Sequence, residues 1–109
     1  MSTGPEQGTD VLDAPAKPRT APLWNVILHD DDDHTYAYVI EMLGRVFGHS
    51  GETAYRMACE VDLTGRVIVD TTHLERAELK RQQIHAYGPD WRLERSAGSM
   101  SASLEPVTD

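Results

Sequence analysis

Apolar positions along this chain change their spacing several times, and each change marks an element. Val26-Ile27-Leu28, close to Trp24, is a short apolar run bounded by polar residues, which predicts a central strand. Tyr36, Val39, Ile40, Leu43, Val46 and Phe47 then recur at spacings of three and four. This is one face of an amphipathic helix starting near Thr35, and Gly48 supplies its stop. Ser50 has the chemistry of an N-cap for a second helix that turns Ala54, Met57, Ala58 and Val61 to one side. Thr64-Gly65 turns the chain into a second strand, Arg66-Val67-Ile68-Val69. Thr72-His73-Leu74-Glu75 has the spacing of a capping box, and it predicts a third helix with Ala77, Ile84 and Tyr87 inward, ended by Gly88-Pro89. Ser99 to Glu105 alternates weakly through Met100, Ala102 and Leu104 and predicts a last strand. The order β-α-α-β-α-β predicts a small α+β sandwich, with three helices on one face of a three-stranded, mainly antiparallel sheet.

The first 22 residues follow none of these periods. They hold four of the six prolines and almost no large apolar side chains, so burial cannot offset the chain entropy of ordering them. A disordered N-terminal tail over 1–22 and one compact domain over 23–107 are predicted, and 109 residues are enough for one modest core.

Charge then narrows the chemistry. Eighteen acidic against ten basic side chains give a net charge of −8, which argues against nucleic-acid binding and favours cationic ligands or basic partners. The lone Cys59 excludes an internal disulfide framework and a cysteine zinc site. No stretch approaches the roughly 18 apolar residues of a membrane span, and the first residues carry no apolar signal core. A cytoplasmic, soluble monomer with no membrane contact is expected.

The densest chemical signal is Asp30-Asp31-Asp32-Asp33 followed by His34, between the first strand and the first helix. Two readings stand side by side: a capping cluster favoured by the helix N-terminus, or a site for something positive. Calcium is disfavoured, because the run has neither the alternate ligand spacing nor the central glycine and distal glutamate of an EF-hand loop. Paired histidine ligands, a glycine-rich phosphate loop and a nucleophile with its base are all missing from the pattern. The expectation is a non-enzymatic protein with no metal and no cofactor. Asp62 is a second acidic signal, since a carboxylate at a helix C-terminus opposes the dipole. Packing of the first two helices would bring it near Asp30 and Asp31, and three convergent carboxylates make a receptor for an ammonium group.

A series of landmarks resembles the ClpS family of Clp-protease adaptors over roughly the last four-fifths of the chain. They are Val26-Ile27-Leu28 with the acidic turn two positions on, Tyr38-Val39-Ile40-Glu41-Met42-Leu43, Phe47, Glu60-Val61, Gly65-Arg66-Val67, Glu78-Leu79-Lys80, His85-Ala86-Tyr87 and Ala102-Ser103-Leu104-Glu105. The resemblance implies a compact domain behind an extended tail, docking on the N-terminal domain of an AAA+ unfoldase and delivering protein or peptide substrates. Many members bind substrates whose first residue is bulky and apolar, the N-degron. In them an Asn-Asp pair and a His hold the α-ammonium, beside a pocket shaped by Val and Met.

Carried over residue by residue, the pair falls on Asp30 and Asp31 and the His position on Asp62. Val39 and Val61 are retained, two methionines fall on Tyr36 and Ala58, and a Thr falls on His34. The expected substrate-binding set is therefore Asp30, Asp31, His34, Tyr36, Val39, Ala58, Val61 and Asp62, and the expected unfoldase contacts are the surface charges Glu75 and Lys80. The carboxylates at 30 and 62 keep the attraction for an ammonium but are expected to raise one another's pKa. A rival from another class is a regulatory module that docks on the unfoldase without capturing N-degrons.

Overall fold

The computed structural model describes residues 21–108, so most of the tail predicted over 1–22 lies outside the described residues. The elements run β1 (Trp24–His29), α1 (Tyr36–Phe47), α2 (Gly51–Thr64), β2 (Arg66–Thr72), α3 (Leu74–His85) and β3 (Ala102–Pro106). The sheet has the order β2-β1-β3 with both pairings antiparallel, so the apolar β1 is central, as its composition predicts. Val26, Leu28, Val67, Val69 and Ala102 turn to the helices and meet Tyr38, Val39, Met42, Leu43, Ala54, Ala58, Val61, Ala77 and Ile84 in one buried cluster.

Ile27 points to the other face yet is fully buried. Arg66 lies opposite His29 and Glu105 opposite Asn25, and the two charges pair at 2.9 Å, passing diagonally over Ile27. The register slips between Val26 and Ile27, leaving Val69 as the extra residue of β2. Its carbonyl accepts a hydrogen bond from His49 Nε2 at 2.7 Å, which ties the α1–α2 turn to the sheet.

Three local expectations need correction. The third helix is not opened by Thr72: that residue still pairs with Trp24 in the sheet, and His73 takes the cap position without a side-chain bond. The ladder wins over the cap preference. The helix also stops at His85, before Gly88-Pro89. Lys80, expected as a surface charge, is buried; its Nζ donates to the Val46 carbonyl at 2.6 Å and lies 5.6 Å from the Phe47 ring centre. Val46 is in the last turn of α1, where carbonyls lack helical partners, so the ammonium satisfies an otherwise orphaned acceptor.

Candidate functional site

The acidic turn is built by three sets of contacts. Gly65, at φ 90°, ends α2 in the left-handed region, and its N–H returns to the Val61 carbonyl at 2.9 Å. Its own carbonyl accepts the Asp30 N–H at 3.0 Å. That bond brings the last turn of α2, and with it Asp62, beside the start of the acidic turn.

The second set fixes Asp31. Its Oδ1 accepts the backbone N–H of Asp33 at 2.9 Å, an Asx turn, and the ring of His34 at 2.7 Å. His34 Nε2 lies 2.7 Å from the Gly98 carbonyl, and the side chain is 4% exposed. The ring thus bridges the acidic turn to the loop between α3 and β3. Arg95, from the same loop, supplies a cation: its Nε donates to Asp33 Oδ1 and to the Asp32 carbonyl, each at 3.1 Å. Part of the positive partner that the run demands is therefore intramolecular.

The third set anchors α1. Thr35 caps the helix, its Oγ1 accepting the Tyr38 N–H at 3.1 Å. Asp90 Oδ2 in turn accepts Thr35 N–H at 2.8 Å and Thr35 O–H at 2.7 Å, while Oδ1 accepts the backbone and side chain of Arg92. Burial alone would raise this carboxyl, but the bonds from Thr35 and Arg92 outweigh it and hold it at about 2. Arg92 continues to Glu41 at 3.1 Å, and Glu41 accepts the Tyr87 hydroxyl at 2.6 Å. Asp90, Arg92, Arg95 and the Gly98 carbonyl were invisible to motif reasoning, because their partners are 51 to 64 residues away. The one local hint is Pro89-Asp90, a turn dipeptide whose aspartate bonds the backbone two residues on.

Asp30 and Asp62 are left on the outside. Both are exposed, and among the described residues neither is paired with a cation. Partial desolvation raises the Asp30 carboxyl; the Asp31 N–H opposes this, and the charges of Asp62, Asp31 and Asp32 add to the rise. Asp62 Oδ2 accepts the Tyr36 hydroxyl at 2.6 Å, and this bond, with desolvation and the Asp62 charge, pushes the phenol upward. The Tyr36 ring lies 6.0 Å from that of Tyr55.

The three carboxylates therefore meet at one end of the α1–α2 pair but are not equivalent. Asp31 is internally engaged, and Asp30 and Asp62 face outward. Val39, Ala58 and Val61, expected to line a pocket, are buried at 4%, 1% and 3% exposure, and no cavity opens among the described residues. Glu75 is exposed in the first turn of α3. The described residues bring together no group of side chains able to hold a metal, and no helix is long and apolar enough to cross a membrane.

Comparison with known proteins adds an independent line. The family model described as "ATP-dependent Clp protease adaptor protein ClpS" matches residues 19–90. The ATP-dependent Clp protease adapter protein ClpS of Vibrio atlanticus (strain LGP32) is 33% identical over 84 residues, covering 76% of this chain and 79% of that protein. The protein of the same description from Desulfatibacillum aliphaticivorans is 33% identical over 88 residues, 79% of this chain and 85% of the relative. The structure of Agrobacterium tumefaciens ClpS2 bound to L-phenylalaninamide has the same fold, with a TM-score of 0.70 at 23% identity over 80% of this chain and 99% of that one. The family match ends at Asp90, so the Arg92, Arg95 and Gly98 contacts lie beyond it.

Proposed function

This chain belongs to the ClpS family of Clp protease adaptors, and from that premise we propose that it captures the free N-terminus of a protein substrate and hands it to an AAA+ unfoldase. The α-ammonium sits between Asp30 and Asp62, with Asp31 held behind them by His34. One observation carries the reading: Asp30 and Asp62 are both exposed where the end of α2 meets the acidic turn, and no cation among the described residues neutralises either. Such a pair favours an incoming ammonium, because charge-assisted hydrogen bonds are the stronger polar contacts. The L-phenylalaninamide bound by the Agrobacterium protein supports the same chemistry, since it presents a free α-amine. The chain acts by binding and delivery rather than by catalysis, as its family does.

The test is fluorescence polarisation with peptides beginning in Ala, Ser, Leu, Phe or Arg, each paired with its acetylated form. At least one free-amine peptide should bind 10-fold or more tightly than its acetylated partner. Asp31→Ala should weaken that binding more than Asp33→Ala, whose carboxylate serves Arg95. Equal effects would reduce the run to a diffuse charge patch. The rival reading, docking without capture, is favoured by the burial of Val39, Ala58 and Val61. It wins if acetylation changes nothing across the panel.

Docking on the unfoldase N-terminal domain is assigned to the exposed start of α3 around Glu75, while the buried Lys80 ties that helix to α1 through Val46. Glu75→Lys should weaken unfoldase binding while leaving the melting temperature unchanged. Lys80→Glu should instead lower stability, by about 2 kcal/mol, because it strips the Val46 carbonyl of its buried donor. Calorimetry alongside a pull-down separates the two effects; equal melting temperatures for both variants would contradict the structural role of Lys80.

A further inference from the structure

Trp91, in the loop between α3 and β3, is 80% exposed but well braced. The Arg92 guanidinium lies 4.6 Å from its ring centre, and Arg92 is itself held by Asp90 and Glu41, each at 3.1 Å. One face of the indole is therefore backed by a fixed cation, and the rest stands in solvent as a preformed apolar platform. Two more guanidiniums belong to the same surface. Arg45, 73% exposed, lies 3.9 Å from the same Glu41, and Arg95, 63% exposed, follows Trp91 by four positions. Glu94 is the only exposed carboxylate of the loop, since Asp90 is buried. An exposed aromatic among three cations suits an acidic segment with an apolar centre.

The chain carries one such segment itself. Asp10-Val11-Leu12-Asp13 sets two aliphatic side chains between two carboxylates, and with Met1 these are the only large apolar side chains before residue 21. We propose that this segment docks on the Trp91 surface, with Val11 and Leu12 on the open indole and Asp10 and Asp13 toward the arginines. The chain enters the domain at Leu23, whose carbonyl accepts the Val107 N–H at 2.9 Å. The loop meets the sheet at its other end, where the Ser101 carbonyl accepts the His29 N–H at 3.0 Å. The six residues of β1 set these ends about 20 Å apart. Leu12 precedes Leu23 by 11 residues, and about 35 Å of extended chain spans that gap with length left for a reversal. Four residues bury too little to hold a separate molecule, but a tether of this length supplies a local concentration on the order of mM. Attachment thus favours the chain's own segment over a peptide in trans. Both halves lie outside residues 19–90 of the family match, and the docking does not depend on N-terminus capture. It sets the segment beside the acidic turn, because Arg95 also holds Asp32 and Asp33.

Paramagnetic relaxation in the full chain tests the docking. A nitroxide is attached at Thr9→Cys in a Cys59→Ser background, and the indole N–H signals of the two tryptophans are followed, with Trp91→Phe assigning them. Each protein is melted to establish folding. The label should reduce the Trp91 signal at least 3-fold. Val11→Ser/Leu12→Ser should restore at least half of that loss, and Asp10→Lys/Asp13→Lys should do the same through the charges. A Trp91 signal that the label leaves intact, or that neither double variant restores, overturns the proposal. A second sample mixes labelled chain without isotope enrichment and enriched chain without label. Broadening of Trp91 there as strong as in the single labelled chain would place the segment on a second copy and overturn docking within one chain; the expected result is an unbroadened signal.

Discussion

Asp90→Ala is expected to destabilise the fold by about 3 kcal/mol, the low end of the range for breaking a buried charge pair. For a domain of this size that corresponds to roughly 15 °C in melting temperature. The Asp90 side chain is fully buried and accepts four hydrogen bonds, two from Thr35 and two from Arg92. Alanine leaves the Thr35 N–H and the Arg92 backbone N–H without their acceptor and removes the brace behind the α1 cap. The guanidinium suffers less, since it keeps Glu41 and is 24% exposed. Asp90→Asn retains one acceptor oxygen and should cost about half as much.

The same contact sets an acid limb. Because the folded carboxyl is held at about 2, below its ordinary 3.8, its contribution is present above about pH 4 and is lost as the pH falls towards 2. Thermal melts of wild type and Asp90→Asn should therefore converge across that window. A constant gap between pH 4 and pH 2 would contradict the role given to Asp90.

What the sequence made legible follows from the range of the interactions concerned. The α1 stripe, the Ser50 cap, the Gly48 and Gly65 stops and the central position of β1 are written in neighbouring residues, and local patterning recovers them. Thr72 misled because its cap preference is local while its pairing with Trp24 reaches across the sheet. Lys80 misled for a similar reason: a long side chain on a polar helix reads as solvated, and only the packing of α3 against α1 makes Val46 its partner. In the acidic run, spacing marked a dense group of carboxylates but could not show which of them are engaged within the fold. The split between Asp31 and Asp33, which are internally engaged, and Asp30 with Asp62, which face outward, is made by His34, Arg95 and Gly98. Two of these lie more than 60 residues along the chain.

The second large effect concerns those outward carboxylates. Asp30→Ala/Asp62→Ala should reduce affinity for a free-amine peptide by roughly 30-fold, equivalent to about 2 kcal/mol, which is the scale of one charge-assisted hydrogen bond. Folding should survive, because both side chains are exposed and their removal relieves like-charge repulsion; the released Tyr36 hydroxyl is free to bond water. Affinity of the wild type should also fall as the pH approaches the raised Asp30 carboxyl, since a protonated acid no longer attracts the ammonium. Added salt should weaken binding in the wild type more than in the double variant, because exposed charges are screened over about 8 Å at physiological ionic strength.

The most direct measurement combines the two perturbations in one cycle: titration of a free-amine peptide and its acetylated twin against wild type and against the Asp30→Ala/Asp62→Ala variant. Acetylation should weaken binding by 10-fold or more in the wild type and by less than 2-fold in the variant. An acetylation penalty of the same size in both proteins would mean that these carboxylates do not hold the ammonium.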